Sequence, residues 1–153
     1  MRVIDARKDR ITFPIALVVS RFNEPITSGL LMGAVGRLKE LDFGIDQLTV
    51  VWVPGAVEIP LMAQKLARTK KYQAIVALGA VIRGETSHYD YVCDQVSQGC
   101  QRVSLDENLP VIFGVLTTEN EDQARDRIGG HHGNKGRDAI DAAVETVSAL
   151  RQI

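Results

Sequence analysis

The sequence predicts a three-layer α/β domain around a four-stranded parallel sheet, and three observations carry that expectation. Four short apolar runs, at 15–19, 48–53, 74–82 and 111–116, are rich in β-branched residues and lack polar alternation, the pattern of strands covered on both faces. Helical periodicity fills each interval between them. No linker, low-complexity tract or internal repeat interrupts the alternation, so residues 1–153 read as one domain of right-handed βαβ crossovers.

Taken in order, IALVV (15–19) is the first strand. Ile26, Leu30, Ala34 and Leu38 recur every fourth residue in the first helix, which Gly44 is expected to stop. LTVVWV (48–53) is the second strand, and Ile59, Met62, Ala63 and Leu66 mark the helix behind it. AIVALGAVI (74–82) is the third, followed by a helix on Tyr89, Val92, Cys93 and Val96. VIFGVL (111–116) is the fourth, after which Thr118-x-x-Glu121 predicts a capping box opening a short helix. Ile140, Ala143, Val144 and Val147 define the last helix. The first ten residues, MRVIDARKDR, are too poor in apolar side chains to fold on themselves and are expected to add a short strand to a neighbouring subunit's sheet edge.

Composition narrows the function classes. A hydrophobic content of 45% against 24% charged residues is that of an ordinary globular chain rather than a disordered one. A formal net charge of -1 favours neither nucleic acid nor an acidic membrane as partner. The longest apolar run, Ala74 to Ile82, is too short to span a bilayer, and the amino terminus lacks the apolar segment of a signal peptide, so a cytoplasmic location is expected. Cys93 and Cys100 lie seven apart in a helical segment, roughly 10 Å along its axis and too far to bridge. They read as reduced core thiols. Neither a Cys-x-x-Cys pair nor a His/Cys ligand cluster occurs, and adjacent His131-His132 reads as loop, so no metal is expected.

In an open parallel sheet, ligands bind beyond the carboxyl ends of the strands. Those ends carry Ser20-Arg21-Phe22-Asn23-Glu24, Pro54-Gly55-Ala56-Val57-Glu58, Arg83-Gly84-Glu85-Thr86-Ser87-His88 and Thr117-Thr118-Glu119-Asn120. Ser87-x-x-Asp90 fits a capping box, which would set the amides of Gly84, Glu85 and Thr86 at the positive end of a helix as a phosphate cradle. His88 would be the first helical residue, where the helix dipole disfavours imidazolium. A plain helix cap followed by an exposed first-turn histidine fits the same spacing. Phe22 offers a face for a flat ring or serves as a lid on the sheet edge. Glu58 accepts hydrogen bonds from a polyol or only complements a helix dipole. Arg127 is placed at the end of the short helix and Lys135 at the start of the last, each a ligand cation or a solvated charge.

The segments SRFNEPIT (20–27), WVPGAVEIP (52–60), LGAVIRGETSHYDYVC (78–93), PVIFGVLTTEN (110–120) and GNKGRDA (133–139) together resemble the lumazine synthase family, in family order and over nearly the whole chain. The resemblance implies a flavodoxin-like fold and condensation of 5-amino-6-(D-ribitylamino)uracil with 3,4-dihydroxy-2-butanone 4-phosphate. Products would be 6,7-dimethyl-8-ribityllumazine, phosphate and water, with no metal or redox cofactor. It implies that Phe22 stacks on the pyrimidine, that Ala56, Val57 and Glu58 hold the ribityl chain, and that Ala80, Val81 and Ile82 present backbone to the ring. Glu85 and Thr86 would receive the phosphate through their amides with Arg127 as counter-charge, His88 would shuttle protons, and Lys135 would lie near ring and phosphate. Phe113 and Arg127 would come from a neighbouring subunit, in a pentamer or an icosahedral shell of pentamers. Rival readings are a flavin- or nucleotide-binding carrier, an archaeal-type riboflavin synthase, and a shell-forming scaffold with a decayed site.

Overall fold

Parallel strands that lie side by side must bury the faces they share, and the first apolar run does so completely and the third at every position but Ile82. In the computed structural model, which describes residues 1–153, β1 (Ile15–Ser20) pairs on one side with β2 (Leu48–Val53) and on the other with β3 (Ala74–Ile82). β3 in turn pairs with β4 (Val111–Thr118), from Ile75 opposite Val111 to Ile82 opposite Thr118. All pairings are parallel, in the order β2-β1-β3-β4.

The two-residue period of a strand divides its side chains between two cores. Ile15, Leu17 and Val19 join a cluster with α1 (Glu24–Glu40) and α5 (Lys135–Leu150). Ala16 and Val18 join the opposite cluster with α2 (Ile59–Arg68) and α3 (His88–Glu107). Three layers result, as the periodicities require. No helix is long and apolar enough to cross a membrane.

The expectation of burial on both faces holds for β1 and β3 and fails for the edges. Val50 of β2 is 40% exposed and Phe113 of β4 is 43% exposed. Helical boundaries shift for local reasons. α1 ends at Glu40, and Asp42, at φ 65, takes the left-handed turn that had been expected of Gly44. The short helix α4 (Glu121–Arg125) is capped by Asn120, whose side chain accepts from the Gln123 amide; Thr118 instead donates to the Asn120 carbonyl. Arg127 lies two residues beyond α4 rather than at its end. A hairpin of β5 (Ile128–Gly130) and β6 (Gly133–Asn134) follows, with His131 and His132 in its turn. Residues 1–14 form no strand within the chain. They pack along α5, where Asp9 accepts from Ser148 at 2.5 Å and from Gln152 at 2.9 Å.

Both thiols are free. Cys100 is buried against the sheet, and that burial pushes its thiol up to about 12. Cys93 is half-buried, one turn from the amino end of α3.

Two features set how closely α1 and α5 approach. Asn134 caps α5, accepting from the amides of Gly136 and Arg137 at 2.9 and 3.1 Å and donating to the Gly29 carbonyl at 3.1 Å. Gly136 faces the backbone of α1, and a Cβ there would fall 1.9 Å from the Leu30 carbonyl oxygen. Gly136→Ala must therefore push the helices apart. We expect it to destabilise the fold by roughly 1–3 kcal/mol or more, read as a lowered Tm.

Where the carboxyl end of α1 meets the first turns of α5, Glu40 accepts from Arg37 at 2.9 Å and from Arg137, while Arg37 also binds Asp141 at 2.7 Å. Arg137 first and Arg37 second hold the Glu40 carboxyl down to about 2 from its ordinary 4.5. As pH falls, the unfolded chain takes up this proton before the folded chain does. The contribution is therefore complete above the ordinary value and disappears as pH falls towards about 2. Thermal unfolding should separate wild type from Glu40→Gln most above pH ~5, with the gap closing through the acid range.

Candidate functional site

β1 and β3 lie side by side but send their chains to opposite faces of the sheet, β1 into α1 and β3 into α3. A crevice must open where they part. A cavity of about 500 Å³ lies there, lined by residues from the carboxyl ends of β1, β2 and β3. Of the expected site residues, Phe22, Ala56, Val57, Glu58, Ala80, Val81, Ile82, Thr86 and His88 all border it. Glu85 lies in the same loop just outside the lining.

The loop after β1 is held open by its backbone. Phe22 donates its amide to the Pro54 carbonyl at 3.0 Å and leaves its ring 72% exposed at the cavity's edge. Asn23, at φ 60, adopts the left-handed conformation that asparagine tolerates better than most residues. Its side chain donates to the Ala80 carbonyl at 2.9 Å instead of capping α1. Pro25 covers part of that omission, because proline in the first turn brings no amide needing an acceptor. Asn23 thus ties the loop carrying Phe22 to the end of β3. Residue type alone assigns Asn23 no such role; its one signal in the sequence is an asparagine wedged between a strand and a proline-started helix.

The chain after β2 makes a single 3₁₀ turn, Ala56–Glu58, directly continued by α2. Ala56 is buried while Val57 and Glu58 are exposed towards the cavity. Glu58 stands at the cap position of α2 without capping it through its side chain. Its carboxylate makes no salt bridge, which leaves it free to accept from a hydroxyl.

The loop after β3 departs from its expected form. Ser87 does precede α3, but neither half of the Ser87–Asp90 capping box forms. Thr86 Oγ1 accepts from the His88 amide at 3.3 Å, and Asp90 turns to Arg83 at 3.6 Å. The physical reason is Ser87's backbone, which is already helical at φ -69, ψ -1 rather than extended as a capping residue requires. One consequence strengthens the cradle. The amides of Gly84, Glu85, Thr86 and Ser87 donate to no acceptor in the protein. Four exposed donors at the positive end of a twenty-residue helix are suited to an anion. His88, exposed, borders the cavity immediately beside them.

Phe113, Arg127 and Lys135 gather elsewhere. They border a second depression, of about 410 Å³, between β4 and α5, which shares no residue with the first. The hairpin β5–β6 brings the two cations together: the Lys135 amide donates to the Arg127 carbonyl at 2.9 Å. Arg127 gives one guanidinium N–H to the Gln123 carbonyl at 2.8 Å and has no carboxylate partner, while Lys135 is 3.5 Å from Asp138. No cluster of three or more His, Cys, Asp or Glu side chains is arranged to hold a metal. One chain therefore divides the expected constellation between two separate depressions.

A family model described as 6,7-dimethyl-8-ribityllumazine synthase matches residues 12–151. Among curated relatives, a 6,7-dimethyl-8-ribityllumazine synthase of Coxiella burnetii (strain Dugway 5J108-111) is 58% identical over 142 residues, 93% of this chain and 94% of the relative. The protein of the same name from Coxiella burnetii (strain CbuG_Q212) is 56% identical over the same shares. With the residues of both depressions inside the matched span, the chain belongs to the 6,7-dimethyl-8-ribityllumazine synthase family.

Proposed function

We propose that this chain condenses 5-amino-6-(D-ribitylamino)uracil with 3,4-dihydroxy-2-butanone 4-phosphate, giving 6,7-dimethyl-8-ribityllumazine, phosphate and water, the penultimate step of riboflavin biosynthesis. The observation that carries the reading is the row of four unpaired amides beside His88 in the cavity between β1, β2 and β3. Family membership supplies the reaction to which that geometry is fitted.

The chemistry assigns work to each group. The pyrimidine lies against the Phe22 ring, whose exposed face gains contact area on binding. The ribityl hydroxyls meet Ala56, Val57 and the Glu58 carboxylate, and the backbone of Ala80, Val81 and Ile82 borders the ring. The butanone phosphate meets the amides of Glu85 and Thr86. The pyrimidine's amine attacks the ketone; loss of water gives an imine, elimination expels phosphate, and ring closure with loss of a second water completes the product. His88 moves protons between these steps, and the amides stabilise charge on the leaving phosphate. Holding two substrates in one cavity removes much of the entropic barrier of a bimolecular condensation.

Arg127, Lys135 and Phe113 act on a neighbour's cavity. Support comes from their distance in the fold from His88 on their own chain and from surfaces left open: Phe22, Val50, Tyr91, Leu105 and Phe113 are all substantially exposed. Edge strands whose sequences suit burial gain cover from adjoining subunits, and residues 1–10, which form no strand within their own chain, supply one to a neighbour. A pentamer, alone or closed into an icosahedral shell, is the proposed assembly. Its substrates are small and water-soluble, and the cytoplasm is its proposed location.

Mixing both substrates with the protein and following the product's absorbance tests the reaction. His88→Ala should keep the assembly and slow turnover by tens-fold or more, on the scale of general acid–base effects; an unchanged rate removes His88 from the mechanism. Complementation tests the shared site. Equal amounts of His88→Ala and Arg127→Ala chains, each nearly inactive alone, should regain about a quarter of wild-type activity when refolded together, since that fraction of sites combines two intact halves in a cyclic oligomer. No recovery would mean that both groups serve the same chain's cavity.

A further inference from the structure

The loop Gly84–Ser87 has almost nothing of its own to fix its shape. Its amides are unpaired, its side chains are exposed, and its local hydrogen bonds come from the first turn of α3, the His88 amide to Thr86 and the Asp90 amide to the Ser87 carbonyl. A stretch of this kind samples many conformations unless its ends are held. Both ends here are held by one side chain. Arg83, the residue before the loop, donates its amide to the Thr118 carbonyl at 2.9 Å, continuing the β3–β4 ladder. Its guanidinium donates to Glu119 at 2.7 Å on the chain leaving β4. It lies 3.6 Å from Asp90 in the first turn of α3, beyond the loop's other end. Its central carbon also stands 4.3 Å from the centre of the Tyr89 ring, and Tyr89 lines the cavity beside His88.

We propose that Arg83 is a positioning residue for the anion-binding loop: by bracketing Glu119, Asp90 and Tyr89, it fixes the two ends of Gly84–Ser87 so that the amides and His88 converge on the substrate's phosphate. The inference rests on the reading above that these amides receive that phosphate. Arg83 is not itself the anion's ligand, because two carboxylates already engage its charge. That separates it from Arg127, whose charge no carboxylate meets. A preordered loop loses little conformational freedom on binding, whereas a loosened one must be ordered by the ligand. The effect is therefore confined to the phosphate-bearing substrate. Only a guanidinium has the planar fork and stacking face that reach two carboxylates and a ring at once, so lysine replaces it in part.

The test uses the full-length assembled protein with Arg83→Ala, Arg83→Lys and Glu119→Gln, varying each substrate and using inorganic phosphate as a competing probe. For Arg83→Ala, the KM of the butanone phosphate and the inhibition constant of inorganic phosphate should each rise on the order of tenfold. The pyrimidine's KM should stay within about twofold of wild type, since its contacts lie on other loops. Arg83→Lys and Glu119→Gln should fall between, and they carry the comparison if the alanine variant does not assemble. Unchanged phosphate constants in assembled variants overturn the proposal. So does an equal loss for both substrates, which marks Arg83 as merely structural. If inorganic phosphate does not compete with the butanone phosphate in the wild type, the anion-loop reading itself falls and takes this inference with it.

Discussion

A strand buried on both faces with hydrogen-bonded neighbours on both sides has almost no freedom to shift, and β3 is the strand on which this molecule's geometry depends. It is clasped by β1 and β4, and nearly every side chain along it is buried. Its carboxyl end delivers Ala80, Val81 and Ile82 to the cavity, then the Gly84–Ser87 loop, then His88. Because β1 and β3 send their chains to opposite faces, the crevice between their ends is a consequence of topology. The sheet's rigidity is what makes exposed loops at its edge usable as binding surface.

Three polar contacts transmit that rigidity outward. Asn23 binds the Ala80 carbonyl and so locks the Phe22 loop to β3. The Phe22 amide binds the Pro54 carbonyl and links the same loop to the chain after β2. Arg83 ties the chain after β3 to that after β4. These tether the loops around the cavity in a chain of neighbours, while the Gly84–Ser87 amides and the Glu58 carboxylate stay unpaired. On the opposite face of the molecule, α1 and α5 meet through Gly136, Asn134 and the Glu40 ion pairs. That contact sets the start of α5, and with it the place of Lys135 beside Arg127.

The expected constellation is divided between two depressions, each bordered by an exposed aromatic residue. Phe113 sits on an edge strand at the second depression, and Phe22 stands exposed at the first. An isolated chain gains nothing from either exposure. In the proposed assembly a neighbour that covers both would complete a site and an edge at once.

Composition and periodicity alone determined the layers, the four strands and the helices between them, because burial on two faces leaves an unbroken apolar run and burial on one leaves a 3.6-residue stripe. The motif segments also named the residues that line the cavity, since in a parallel sheet every strand must end at the same edge. Caps were legible only in part: Asn120 outcompeted Thr118, Asp42 turned where Gly44 was expected, and Ser87 lacked its capping bond. Each outcome depends on local backbone angles that residue type does not fix. Only the tertiary structure decided that Phe113, Arg127 and Lys135 lie apart from His88, that the edge strands are uncovered, and that Asn23 and Arg83 brace the loops. Those facts arise from contacts between residues 36 to 57 positions apart or from the order of strands, and neither distance nor strand order is written in any short stretch of sequence.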